Sequence, residues 1–256
     1  MQTIGFIGVG ALTLYSIKGV RAGGYQGPVL LSPRNREKSE YLAINYNCEV
    51  QSDNQSVVSN SDYIVIATRP ADCLETLGSL EFNANQTLIS VVAGIDIEQL
   101  RSAVPAELEI VRAMPVSSAE AGASPTLIYP DNAFVSEFFN SCGTSIVTDN
   151  ETYFNRGSVL ACVYCWFFPL FQELIQTIQG PELPKELSAQ LVMGMAKGAA
   201  ELALSSKEIS PAEIASGIAT EGTFSKLGLD LLKQQSAFEP WREACILLQK
   251  KLAANH

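Results

Sequence analysis

Ile4-Gly5-Phe6-Ile7-Gly8-Val9-Gly10-Ala11-Leu12-Thr13 lies near the start of the chain. A short apolar strand runs into Gly8-Val9-Gly10 and then into a helical stretch. Glycines at such a junction allow a tight turn and let backbone N–H groups approach a dinucleotide pyrophosphate. The positive end of the following helix points at the same place. Thr13 stands where the third Gly or Ala of this fingerprint usually sits, so the motif is imperfect.

The pattern downstream supports it. Val29–Leu31, Tyr63–Ala67, Thr87–Val92, Glu109–Arg112, Thr126–Tyr129 and Thr144–Val147 read as strands. Helical patterns lie between them at Arg36–Asn45, Ala71–Leu80 and Ile97–Ala103. Near-continuous apolar strands alternating with helices predict a parallel sheet covered on both faces. After Glu151 the strand signals stop. Val159–Ile178, Pro184–Leu204, Ser210–Ala219, Phe224–Lys233 and Glu239–Ala254 read as helices, with Pro184 and Pro211 at first turns and Ser210 as an N-cap. The expected fold is α/β: a Rossmann-type dinucleotide-binding domain over 1–150, then an all-helical domain over 151–256. Val159–Ile178 is apolar on nearly every side in its first half. Such a helix is buried all round, by a second subunit or in a monomer core, and the five helices offer a thin shell. A homodimer through the helical domain is expected.

Bulk numbers narrow the function. The chain of 256 residues is 47% hydrophobic and carries a net charge of −10. That argues against nucleic acid or an anionic membrane as partner, while leaving room for an anionic cofactor held by local amides and arginines. No secretory leader is read at the N-terminus, and the apolar run Val159–Phe171 is short for a bilayer and contains Pro169. A cytoplasmic location is expected. The six cysteines are then reduced thiols, and Cys162-Val163-Tyr164-Cys165 reads as packing inside an apolar run. The one histidine is His256. Triads built on histidine and histidine metal sites are thereby disfavoured, and no metal is expected.

The second strand ends in Leu31-Ser32-Pro33-Arg34-Asn35-Arg36. An NAD site usually places Asp or Glu here to accept from the ribose 2′-hydroxyl. A hydroxyl and two arginines suit a 2′-phosphate instead, so NADP(H) is the expected cofactor. Ala67-Thr68-Arg69-Pro70, Ala93-Gly94 and Met114-Pro115-Val116-Ser117 follow successive strands, where loops line the cofactor crevice.

Taken in order, Gly5–Leu12, Ser32/Arg34, Asn54, Ala67-Thr68-Arg69-Pro70, Val92-Ala93-Gly94-Ile95 and Val111-Arg112-Ala113-Met114-Pro115 resemble the pyrroline-5-carboxylate reductases. The helical half continues the resemblance through Leu183-Pro184, Met195-Ala196-Lys197 and Gly222–Leu229. The resemblance implies an NADPH domain followed by a helical dimerisation domain, reduction of a cyclic imine, and a substrate site between the cofactor cleft and helices of the partner subunit. It implies cofactor contacts from Gly8, Val9, Gly10, Ala11, Leu12, Ser32, Arg34, Asn54, Ala67, Thr68, Arg69, Ala93 and Gly94. Substrate contacts are implied for Val116, Ser117, Tyr164, Gly222, Thr223 and Phe224, with Ser225 and Glu221 as the catalytic candidates.

The chain departs from the family where substrate is held. Val116-Ser117-Ser118 replaces Asn-Thr-Pro, and Ala161-Cys162-Val163-Tyr164-Cys165 replaces Ser-Gly-Ser-Gly-Pro. Thr220-Glu221-Gly222-Thr223-Phe224-Ser225 replaces Ser-Pro-Gly-Gly-Thr-Thr, a segment whose amides and hydroxyl hold a substrate carboxylate in the family. An ionised Glu221 a few ångströms from that carboxylate would repel it by roughly 1–4 kcal/mol. It would favour an iminium, or a substrate without the carboxylate. A Glu221 turned to solvent at a helix N-terminus would do neither. Intact nucleotide motifs beside rewritten substrate motifs also leave open an inactive dinucleotide-binding sensor or scaffold.

Overall fold

The structure, a computed structural model, describes residues 1–253; His256 lies outside the described residues. The first part runs β1 (Ile4–Ile7), α1 (Ala11–Ala22), β2 (Val29–Leu31), α2 (Arg36–Tyr46), β3 (Glu49–Val50), α3 (Asn54–Ser59), β4 (Tyr63–Ile66), α4 (Pro70–Gly78), β5 (Thr87–Ser90), α5 (Ile97–Arg101) and β6 (Glu109–Met114). A 3₁₀ turn at Ser117–Ala121, β7 (Ser124–Tyr129), α6 (Ala133–Asn140) and β8 (Gly143–Val147) complete it. All eight strands form one sheet in the order β3-β2-β1-β4-β5-β6-β7-β8.

Successive side chains on a strand point to opposite faces. Phe6, Leu31, Val65, Ile89 and Val111 therefore pack with Ile17 and Val20 of α1 and Phe138 of α6. Ile7, Leu30, Ile64, Ile66, Leu88 and Ile110 pack on the other face with Val57, Val58, Cys73, Leu77 and Leu100. With both faces covered, the strands read as unbroken apolar runs. Each fully buried aliphatic side chain contributes about 1.5–3 kcal/mol.

Two corrections to the sequence reading have local causes. The sheet is not wholly parallel: β7 pairs antiparallel with β6. A parallel crossover needs about a dozen residues or more, usually with a helix. The stretch from Met114 to Ser124 holds only the 3₁₀ turn. That turn lies on α1 where Gly19 approaches Ala119; a Cβ on Gly19 would stand 1.9 Å from the Ala119 carbonyl oxygen. Short elements also went unread. β3 is two residues long, and α3 and α6 are marked by side-chain caps from Asp53 and Asn132.

The second part is helical: α7 (Glu151–Ile178), α8 (Lys185–Ser205), α9 (Pro211–Ile218), α10 (Phe224–Gln234) and α11 (Glu239–Ala253). Ser210 and Glu213 form a reciprocal capping box at α9. Pro211 occupies the first turn, whereas Pro184 stands one position earlier than expected, at the cap of α8. By compactness the chain divides inside α7, into Met1–Ala161 with Gln249 onward, and Cys162–Leu248. Residue 151, where strand signals stop in the sequence, is where α7 begins.

A buried charge sets that beginning. Arg112 on β6 is 1% exposed. Its Nη1 donates to Glu151 Oε1 and Asn155 Oδ1, both at 2.7 Å, and its guanidinium lies over the Phe154 ring at 4.4 Å. The Ile97 N–H also donates to Glu151 Oε1. Burial pushes the Arg112 pKa down, and the Glu151 carboxylate pulls it back up.

The expectation that α7 is buried all round fails for the isolated chain. Phe154, Ser158, Val159 and Ile175 are buried, but Leu160, Phe167, Phe168, Leu170, Leu174 and Ile178 are exposed. Cys162 and Cys165, expected to be packed, are exposed as well. α7 is also longer than the apolar run seen in the sequence. At 28 residues it is long and apolar enough to cross a membrane by length and composition, unlike the run Val159–Phe171 taken by itself.

Removing Glu151 leaves the Arg112 guanidinium buried, with Nε already unpartnered and only Asn155 at Nη1. Stripping one partner from a buried pair costs about 3–5 kcal/mol. Equilibrium urea unfolding of Glu151→Ala should show a loss of that order. A loss below about 1 kcal/mol would mean the pair does not anchor α7.

Candidate functional site

The strand order reverses between β1 and β4, and ligands of open α/β sheets bind at the carboxyl ends of strands beside such a point. Here the ends of β1, β2 and β4 meet. Gly8 has φ +96°, and a Cβ on it would stand 2.6 Å from the Ala67 carbonyl oxygen at the end of β4. Its N–H donates to Ser32 Oγ at 3.0 Å. Its carbonyl accepts from Thr13 Oγ1 at 2.8 Å. Thr13, the departure from the usual fingerprint, thus ties the turn down.

Gly10 caps α1 without a side-chain bond, and a Cβ there would meet no neighbour within 4 Å. First-turn amides of a helix, here those of Ala11 and Leu12, have no intrahelical acceptor. No acidic residue stands in the first turn of α1, so its positive end keeps its full field.

These groups border a cleft of about 600 Å³ lined by Gly8, Val9, Gly10, Ser32, Arg34, Asn54, Thr68 and Arg69. All eight were expected cofactor contacts, and the structure brings them together. Ala67 abuts Gly8 as described above. Arg36, the second arginine read at the end of β2, lines the same cleft, as do Asn35, Lys38, Asp72 and Thr76, which the sequence pattern does not mark. Lys38 stands in the first turn of α2, four residues after Arg34, and Asp72 stands in the first turn of α4 just after Pro70; nearness to these marks is the signal that points to them. Arg34, Arg36, Lys38 and Arg69 in the lining suit a polar, anionic ligand, and the buried Thr68 Oγ1 has no nitrogen or oxygen partner, only a weak bond with the Cys73 thiol.

Ala93 is exposed beyond β5. Gly94 is buried at φ +73° and lines a separate cavity of about 340 Å³ with Thr152, Asn155 and Arg156. The structure does not bring this pair to the lining of the larger cleft. Val116 is buried and donates its N–H to Ser124 Oγ at 3.0 Å; Ser117 begins the 3₁₀ turn.

The remaining expected residues belong to the second compact unit. Tyr164 packs edge-on against Phe168 at 5.3 Å. Gly222 takes φ +81° just before α10. Thr223 caps that helix by accepting from the Lys226 N–H, and its hydroxyl donates to the Thr220 carbonyl at 2.7 Å. Helix geometry leaves the Phe224 and Ser225 amides at the open end. Phe224 is 93% exposed, and Glu221 and Ser225 are exposed too. The Lys226 pKa is raised, chiefly by its hydrogen bond to Asp230, with the Glu221 charge adding to it. The thiols of Cys48, Cys73 and Cys142 are pushed up to about 11 by burial, and burial raises Cys162 as well. None of these four carries the lowered pKa of a reactive thiol.

Comparison with known proteins bears on both parts. Residues 3–94 match the family described as NADP oxidoreductase, coenzyme F420-dependent. Pyrroline-5-carboxylate reductase of Vibrio alginolyticus is 26% identical over 235 residues, covering 86% of this chain and 85% of that protein. The solved pyrroline carboxylate reductase of Plasmodium falciparum with NADP bound aligns with TM-score 0.87 at 22% identity, over 99% of this chain and 98% of that one. The enzyme of Streptococcus pyogenes aligns with TM-score 0.86, also at 22% identity, over 99% and 98%. Over most of its length the chain is similar to pyrroline-5-carboxylate reductases, at 22–27% identity. The fold is that of the two solved structures, an eight-stranded sheet followed by helices here, and the comparisons support NAD(P)H as cofactor.

The two glycines separate stability from binding. Gly8→Ala forces a strained φ against the Ala67 carbonyl, at a cost of about 1–3 kcal/mol or more. It should lower the melting temperature. Gly10→Ala meets no protein atom, so it should melt like the parent while its methyl group intrudes on the ligand. Calorimetric titration with NADP⁺ should then show at least about a tenfold loss, near 1.4 kcal/mol. Parental affinity in Gly10→Ala would remove the turn from the binding site.

Proposed function

We propose that the chain reduces the C=N bond of a cyclic imine with NADPH. The observation that carries this reading is the cationic rim of the nucleotide cleft, where Ser32, Arg34 and Lys38 stand in place of the carboxylate that would read an NAD ribose. Resemblance to imine-reducing relatives along nearly the whole chain supports the reaction class.

When bound, the nicotinamide cofactor supplies the hydride. The protein's part is placement and charge. The amides of Val9–Leu12 face the pyrophosphate, and Arg34 with Lys38 faces the 2′-phosphate. Arg69 adds a cation beside them, and Asn54 and Thr68 supply polar contacts. Ala93, Gly94, Val116 and Ser117 are small enough at the strand exits to let a ring approach closely. Gly222, Thr223 and Phe224, with the amides ahead of α10, receive the substrate; Tyr164 shapes its pocket. Ser225 donates a hydrogen bond to it. An iminium is already electrophilic, so a hydroxyl or water suffices as proton source, which agrees with catalysis that uses no histidine.

Glu221 stands where the family's segment meets a carboxylate. Its charge favours a cationic iminium and disfavours a carboxylate on the ring, with Lys226 offsetting part of the effect. Glu221→Gln should raise kcat/KM for pyrroline-5-carboxylate by up to about tenfold, equivalent to about 1.4 kcal/mol, while that for carboxylate-free pyrroline stays level or falls. Ser225→Ala should lower kcat with both. Tight NADPH binding without oxidation across a panel of cyclic imines would favour the sensor or scaffold reading.

The exposed apolar residues of α7 need a cover, and a second copy of the chain supplies it in this proposal. The protein then works as a cytoplasmic homodimer. Gel filtration with light scattering, without detergent, should give twice the 27.6 kDa chain mass. A 27.6 kDa species, or recovery only from membranes with detergent, would overturn this.

A further inference from the structure

Three cations stand at the 2′-phosphate end of the cleft, and two of them already face carboxylates. Arg36 is held by Glu40 one turn along α2, at 2.7 Å. Arg34, on the loop after β2, lies with Nη1 3.5 Å from Asp72 Oδ2, which stands in the first turn of α4. The second pair differs in kind from the first. Arg36 and Glu40 share one helix, whereas Arg34 and Asp72 come from opposite walls of the cleft, and both line it. Their side chains are 79% and 41% exposed. An exposed pair of this sort is weak and easily exchanged. A phosphate arriving at Arg34 therefore has to share or displace Asp72, and its own negative charge faces that carboxylate. A dinucleotide with a free 2′-hydroxyl meets no such repulsion, because a hydroxyl can donate to a carboxylate.

We propose that Asp72 is a specificity-determining residue of the nucleotide cleft: it competes with the 2′-phosphate for Arg34 and so limits the preference for NADP(H) over NAD(H). The inference rests on the reading of Arg34 as the phosphate-facing cation. Ser32 does not substitute for Arg34: its hydroxyl accepts from the Gly8 N–H and keeps its own O–H to donate, but it carries no charge.

The test measures equilibrium binding, with no turnover involved. NADP⁺, NAD⁺, 2′,5′-ADP and 5′-AMP are titrated calorimetrically against the parent, Asp72→Asn, Asp72→Ser, Arg34→Ala and the Arg34→Ala/Asp72→Asn double variant. Both Asp72 variants should bind NADP⁺ and 2′,5′-ADP between about three- and tenfold tighter, and NAD⁺ and 5′-AMP within about twofold of the parent or weaker. The gain should shrink as ionic strength rises. Arg34→Ala should lose at least about tenfold for the phosphorylated pair alone, and Asp72→Asn should add nothing in that background. Asp72 lies inside the first turn of α4 rather than at its cap, Arg69, and two replacements of different size guard against a local folding effect. Equal changes for phosphorylated and unphosphorylated ligands, or no change, would overturn the role of Asp72 while the loss in Arg34→Ala leaves the NADP reading standing. An Arg34→Ala variant with parental NADP⁺ affinity would overturn both.

Discussion

Three strand ends are tied together at one residue, and the nucleotide cleft depends on that knot. Gly8 leaves β1 between β2 and β4. Its N–H goes to Ser32 at the end of β2, its carbonyl takes the Thr13 hydroxyl from α1, and its α-carbon lies against the Ala67 carbonyl at the end of β4. Any side chain at this position would push β4 away. The floor of the cleft is therefore built from backbone, which leaves amides free to meet a phosphate. Further lining residues hang from the same three ends: Arg34 two residues beyond Ser32, and Thr68 and Arg69 directly after Ala67.

Local charge and global charge point in opposite directions at the cleft. The chain as a whole carries −10, yet α1 has no acid in its first turn and the loop after β2 presents Arg34, Arg36 and Lys38. Within a screening length of about 8–10 Å only the near charges count. That range also makes a single carboxylate such as Asp72 important at the cleft, where the same charge elsewhere on the surface would be lost in the average. The segment before α10 follows the same rule on a smaller scale, with Glu221 acting on Lys226.

A buried cation fixes the first turns of α7 against the sheet of the first unit. Arg112 is the one guanidinium among the fully buried side chains of the described residues, and it gathers Glu151 and Asn155 from the first turns of α7. The helix so anchored then presents Leu160, Phe167, Phe168 and Leu174 to solvent. Hydrophobic pattern alone placed the helix start at Val159, because Glu151–Gly157 is polar enough to pass for a loop. Only the ion pair and the Phe154 contact show that those turns belong to α7.

The strands β1, β2, β4, β5 and β6 were legible because burial on both faces writes them as apolar runs, and the glycine turn was legible because φ +96° at Gly8 leaves almost no other residue free to occupy it. The cleft residues Ser32, Arg34, Thr68 and Arg69 followed, since a parallel sheet puts successive loop exits at one end. Tertiary structure decided the rest. The reversal of β7 came from a connection too short to cross back, held on α1 at Gly19. Cleft residues such as Lys38 and Asp72 are set by which walls face each other, and spacing in one dimension does not encode that distance. Sequence by itself determined the α/β class, the nucleotide turn and the cations beside it, because each depends on a local backbone or charge requirement. The partners of those cations, the start of α7 and its bare apolar face depend on contacts between segments far apart in the chain.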